Sequence, residues 1–191
     1  GAEMMLYKLL RESRQSEFVP IVISLKTSGS VASRIEELGI PVMSLELDSG
    51  VTPFLRALKV LRHVVRTYQP ALIQGWMYHG NLAASLSCKL TNNKSALLWN
   101  IRQTIQSLAN EKWLTKGCIK IGAGLSSYVD HVIYNSSLSA VQHQNLGYSR
   151  NNGIILPNGF DLDEFNVDLK ARNLFRIELG VSQSQFLIGY I

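Results

Sequence analysis

Seven short apolar runs, separated by stretches of helical periodicity, constrain this 191-residue chain more than anything else in it. The runs are Val19-Leu25, Pro41-Leu45, Ala71-Gly75, Ala96-Ile101, His131-Tyr134, Gly153-Leu156 and Phe186-Ile191. Helical patterns fill residues 2–14, 30–38, 53–68, 80–91, 107–127, 136–146 and 168–179. Parallel strands need a crossover between them, usually a helix, so this alternation predicts a parallel sheet covered on both faces. Gly39, Gly147 and Gly180 follow three of the helical stretches, where a left-handed closing residue belongs.

The predicted fold is therefore α/β, a Rossmann-like parallel sheet with helices on both faces. A doubly wound domain opens on a central strand, whereas this chain opens on a helix. The first strand is expected to be missing, and its slot lies between the runs at 19–25 and 71–75. An empty slot exposes two rows of unpaired backbone groups. "FLIGYI", residues 186–191, is the candidate to pair there, from the same chain or from a neighbour.

Hydrophobic residues at 46% and charged ones at 17% describe a folded chain and exclude a disordered one. The apolar runs fall far short of the roughly 20 residues that cross a bilayer. Residues 1–10 lack the cationic start and apolar core of a signal peptide. Cys88 and Cys118 lie in separate helical patterns and suit a reducing compartment, so a cytoplasmic location is expected. The net charge of +5 is compatible with an anionic substrate or an anionic membrane surface. Lys112, Lys116 and Lys120, and the group Arg56, Lys59, Arg62, His63 and Arg66, make basic helix sides. Each is either a peripheral membrane contact or a solvated face. Nucleic acid is not expected as a partner, because no recognition fold accompanies the charge. Cys and His spacings give no metal constellation, and neither a P-loop nor a Gly-x-Ser-x-Gly elbow appears.

Open α/β sheets bind ligands beyond the carboxyl ends of their strands, which selects three places. Gly1 precedes the first helix, where a close-approach glycine would open an anion site at a helix N-terminus. "WMYHGN" follows the strand "ALIQG" and offers Trp76 and Tyr78 as apolar walls. His79 in the same stretch is a base, a hydroxyl-binding group or a helix cap. "LLWNIRQT" places Asn100 and Arg102 at the next strand end, where a planar guanidinium suits phosphate or carboxylate. Finally, "IILPNGFDLDEF" breaks a strand at Pro157-Asn158-Gly159, reverses, and is expected to dock Phe165 on apolar surface.

Residues 128–165, "YVDHVIYNSSLSAVQHQNLGYSRNNGIILPNGFDLDEF", resemble the segment closing the N-terminal domain of GT-B glycosyltransferases of retaining family four. Asp130, Ser136, Gly147, Pro157, Asn158, Gly159, Asp161 and Phe165 occupy that motif's places. "GAEMMLYKLL" looks like the family's Gly-Gly-Ala-Glu helix start, entered at its second glycine. "WMYHGNLAAS" and "LLWNIRQ" look like strand ends in the branch that builds bacterial surface polysaccharide, lipopolysaccharide included. The resemblance implies residues 1–166 as an acceptor-binding domain, and 167–191 as a linker helix with the first strand of a donor-binding domain. It implies a hexosyl transfer from a nucleotide-sugar substrate to a glycan or lipid-linked acceptor, with anomeric retention and neither cofactor nor metal. Gly1 would approach the donor diphosphate. Arg102, in the loop after "LLWN", would face the reacting sugar, where many relatives carry His; His79, placed by its own strand end, is expected to share that crevice as a second catalytic residue. Trp76, Tyr78 and Asn100 would receive the acceptor, and Asn158, Gly159 and Asp161 would form the interdomain loop. A fragment of this kind is expected to be inactive alone. Two other readings fit the residues: a non-catalytic α/β binding module, and a GT-B sugar-nucleotide epimerase.

Overall fold

The computed structural model describes residues 1–13, 16–27, 29–47, 51–91, 94–163 and 165–188, with backbone only at 51–54. The elements run α1 (Ala2–Glu12), β1 (Val22–Ser24), α2 (Ser30–Glu36), β2 (Val42–Ser44), α3 (Val51–Tyr68), β3 (Leu72–Trp76) and α4 (Met77–Thr91). They continue β4 (Ala96–Ile101), α5 (Trp113–Leu125), β5 (His131–Tyr134), α6 (Ser137–Asn145), β6 (Gly153–Ile155) and α7 (Leu169–Glu178). Among the described residues all the pairings are parallel, as the alternation requires. Strands β3, β4, β5 and β6 form one sheet in that order, and β1 pairs with β2 in a second.

The core follows from the sequence of the two middle strands. Trp99 and Ile101 of β4, with Val132 and Tyr134 of β5, are fully buried. Tyr78 and Ala84 of α4, Ile119 of α5 and Ala140 of α6 pack into the same cluster. Two glycines let the layers close. A Cβ on Gly75 would collide with the backbone of Asn81, so α4 lies directly against β3. A Cβ on Gly122 would meet the Tyr148 hydroxyl at 2.5 Å. A smaller cluster joins Ile23 of β1 and Leu45 to Ala57 and Leu61 of α3, with Ala83 of α4 against it. Gly39, Gly147 and Gly180 all take positive φ, closing α2, α6 and α7.

Three expectations change. Residues 107–127 are not one helix: a 3-10 turn at Leu108–Asn110, extended backbone at Glu111 and Lys112, and a second 3-10 turn at Ser126–Tyr128 frame α5. Helix α4 begins at Met77 rather than at residue 80, because Met77 itself turns the chain with φ 62°. Residues 186–188 form no strand; Phe186 is 94% and Ile188 85% exposed, and residues 189–191 lie outside the described residues. The described part of the tail therefore belongs to neither sheet.

The chain divides into two compact units, Gly1–Asn158 and Gly159–Ile191. In the second, Asp168 caps α7 by accepting from the Lys170 and Ala171 N–H groups at 2.8 and 3.0 Å. Arg176 is buried there and donates to Ser182 O at 2.6 Å and to Gln185 O, tying down the turn that follows α7. Phe165, expected to dock on apolar surface, is 59% exposed, and its N–H donates to the Asp161 carbonyl at 2.9 Å.

Candidate functional site

The carboxyl ends of β3 and β4 lie side by side, with Trp76 paired in register to Asn100. Trp76 Nε1 donates to the Ala2 carbonyl at 2.9 Å and so fixes the start of α1, beside Gly1. Arg102 leaves β4 and lays its guanidinium over the Trp76 ring, 5.5 Å from the ring centre. Its Nη1 donates to Asn158 Oδ1 at 2.8 Å and to Leu156 O at 3.2 Å. Residues 1–2, Trp76, Arg102 and Asn158 thus form one chain of contacts along this edge. Burial lowers the pKa of Arg102, but a guanidinium stays charged throughout the working range. Its Nε is buried without a hydrogen-bond partner. A clamped cation at the carboxyl edge of a parallel sheet can hold an anionic oxygen.

The other expected residues lie elsewhere. Tyr78 points inward from α4 and is buried, and its hydroxyl lies 2.8 Å from His143 Nε2. Asn100 is buried behind the edge, its backbone N–H donating to Asn81 Oδ1 at 3.2 Å. Both faces of β4 are covered: Trp99 takes the α4 side, its Nε1 donating to Ser85 Oγ at 3.0 Å, and Asn100, next along the pleat, is enclosed on the other. His79 is exposed in the first turn of α4 and hydrogen-bonds to none of the clamp residues. Gly159 is exposed, and Asp161 Oδ1 accepts from the Asp163 N–H at 3.1 Å; both belong to the second unit.

Sequence reasoning passed over two polar centres. Asn81 is buried beside Gly75 and Asn100, with its Nδ2 unpartnered, as is Asn100 Oδ1. The second centre is His143 on α6, fully buried and ringed by Tyr78, Tyr134 and Tyr148 at centroid distances of 5.7, 5.6 and 5.2 Å. Its Nδ1 donates to the Ser139 carbonyl at 2.7 Å, so in the neutral ring Nε2 is the acceptor and Tyr78 donates. Desolvation pushes the His143 pKa down, partly offset by that carbonyl, and it pushes the Tyr78, Tyr134 and Tyr148 pKa values up. The only sequence signal was the Ser139–His143 spacing of one helical turn. A groove of about 330 Å³ between the loop after β4 and α6 is lined by Ile105, Leu108, Gln142 and Leu146 among others, and by none of the expected residues. Among the described residues no group of three His, Cys, Asp or Glu could hold a metal ion. No described helix is long and apolar enough to cross a membrane.

No family model matches the chain, and no curated protein does. Solved structures do. Anabaena HepE in complex with UDP aligns at a TM-score of 0.73 and 19% identity over 94% of this chain. Its complex with UDP and glucose gives 0.70 at 19%, and its complex with UDP-glucose 0.70 at 18%. The likeness is one of fold. This chain spans about half of HepE, covering 46–47% of its length.

Proposed function

We propose that this chain is the acceptor-side half of a GT-B glycosyltransferase of retaining family four, acting with a donor-binding half. The observation that carries the reading is the Arg102 clamp. Arg102 joins the strand end "LLWNIR" to Asn158 of the Pro-Asn-Gly loop, two stretches that the family resemblance singles out separately. HepE, of like fold, binds UDP-glucose, which supports a nucleotide sugar as the donor. In this reading Arg102 meets a donor phosphate or the charge that develops as the nucleotide leaves. Trp76 holds the guanidinium flat, and Asn158 sets its direction. The first turn of α1, tied to Trp76 through Ala2, brings Gly1 toward the diphosphate. The acceptor is a glycan or lipid-linked glycan of bacterial surface polysaccharide, and the reaction runs at the cytoplasmic side of the membrane.

The test is a transfer assay on the protein in which this half is joined to its donor half, against UDP-, GDP- and ADP-sugars. One of them should give glycosyl transfer with retained anomeric configuration. Arg102→Ala should then cost about 2–4 kcal/mol of transition-state stabilisation. Titration of the 191-residue chain alone should show no tight binding of any donor. Micromolar binding by this half, or unchanged turnover in Arg102→Ala, would refute the assignment.

A further inference from the structure

Strand β4 outruns its neighbour. Its last pairing with β3 is Asn100 to Trp76, so Arg102 lies beyond the final rung. Alternate residues of β4 face alternate neighbours. The Ala96 N–H donates to the Ala71 carbonyl before β3, whereas the Ile101 carbonyl accepts the Asn135 N–H after β5. By that alternation the Arg102 N–H points to the β3 side, where the chain has already turned away into α4. A backbone donor left there without an acceptor would cost stability. Met77 supplies the acceptor: the Arg102 N–H donates to its Sδ at 3.3 Å.

One turn further along α4, Asn81 Oδ1 accepts the Asn100 N–H at 3.2 Å. The spacing is what allows both contacts. Four residues of helix rise about 6 Å and two residues of strand about 6.6 Å, so positions 77 and 81 meet positions 102 and 100 in step. Gly75, with no Cβ, lets the helix backbone come this close. Tyr78, in the same turn, is buried with its hydroxyl on His143 Nε2, which anchors that turn to the core. The start of α4 thus continues, through side chains, the ladder that β3 ends.

Met77 makes its contact from a left-handed backbone, φ 62°, which a residue with a side chain adopts at a cost. Glycine would make the same turn freely but would offer Arg102 no acceptor. Arg102 is therefore held at both ends by neighbouring residues, its backbone by Met77 and its guanidinium by the Trp76 ring. We propose that Met77 is a positioning residue of the Arg102 clamp, and that its thioether, more than its bulk, sets where the guanidinium lies. The placement is independent of the transferase reading; its consequence for catalysis rests on that reading.

The experiment compares Met77→Leu, which keeps the bulk and loses the acceptor, with Met77→Gln, which restores an oxygen acceptor. On the 191-residue protein, NMR reads Arg102 directly. Met77→Leu should speed amide exchange at Arg102 by about threefold to tenfold while Trp99 and Ile101 keep their protection. The upfield ring-current shift that Trp76 imposes on the Arg102 side-chain protons should shrink with it, and Met77→Gln should recover both. In the protein joined to its donor half, Met77→Leu should lower kcat/KM for the donor by about tenfold. In an Arg102→Ala background the same substitution should cost nothing more, whereas a purely structural residue would add its own loss. Unchanged exchange and ring-current shift at Arg102 in Met77→Leu overturn the proposal. So does a loss of protection spread evenly over β3–β6 that Met77→Gln fails to recover, because Met77 would then act by packing alone. A parent protein that transfers no sugar refutes the transferase reading, and the NMR result still decides Met77.

Discussion

The two sheets of the first unit are made of the same kinds of residue and reach different ends. In β4 and β5, each hydrogen-bonded to a strand on both sides, Trp99, Ile101, Val132 and Tyr134 are fully buried. In β1 and β2, which pair only with each other among the described residues, Val22, Ile23, Val42 and Met43 are only partly buried. Hydrophobicity of a strand sets how much it could bury. Its neighbours on either edge, and the helices across it, set how much it does.

The sharpest test uses one residue type in both sheets. Ile101→Ala in β4 removes a fully buried side chain from the main cluster and should cost about 3–5 kcal/mol in urea unfolding. If Ile101→Ala costs no more than Ile23→Ala, the contrast between the sheets fails. Gly75→Ala comes next. Its new Cβ would press on the Asn81 backbone, which cannot swing aside as a side chain would, so a loss of about 1–3 kcal/mol is expected. A neutral Gly75→Ala, read from the unfolding midpoint, would mean that α4 does not sit on β3 as described. Ile23→Ala in β1 should cost about 1–2 kcal/mol, because a half-buried side chain already meets water.

The same contrast shows how far the sequence could be read. Six of the seven runs became strands, since β-branched clusters bounded by turns carry their own signal. "FLIGYI" has that composition too, yet its described residues, 186–188, form no strand. Composition says that a segment suits a strand and is silent on whether a partner edge meets it. The site was legible in the same partial way. Trp76, Arg102 and Asn158 come together because strand ends of a parallel sheet converge on one edge, which topology alone predicts. Tyr78 and Asn100 were read onto that edge and lie in the core. One faces inward on a helix that starts earlier than its periodicity suggests, and the other lies on a strand whose end is covered on both faces. His143 gave almost no signal, because its burial depends on three tyrosines from distant segments.

The smallest expected effect comes from that histidine, and it separates the sheets by pH rather than by mutation. His143 touches the β3–β6 half only: Tyr78 of α4, Tyr134 of β5, and Tyr148 beyond α6. Its folded pKa is depressed below the ordinary 6.5, chiefly by desolvation. Below that value the unfolded chain takes up a proton that the folded ring refuses, so ν_U exceeds ν_N and stability falls as pH drops through 6.5. The loss ends only when pH reaches the depressed folded value. One such group contributes a slope of at most about 1.4 kcal/mol per pH unit. His143→Gln keeps an acceptor for Tyr78 and a donor for Ser139, but does not titrate. Urea unfolding between pH 7.5 and about 5, above the range where carboxylates protonate, should therefore show a positive slope in the parent that is reduced in His143→Gln. Amide exchange should respond in the same direction and locally, with protection in β4 and β5 falling as the pH drops while that of β1 and β2 moves less. An identical slope in parent and variant would mean that the ring is not held neutral by its burial, and that the tyrosine cage packs around an imidazolium.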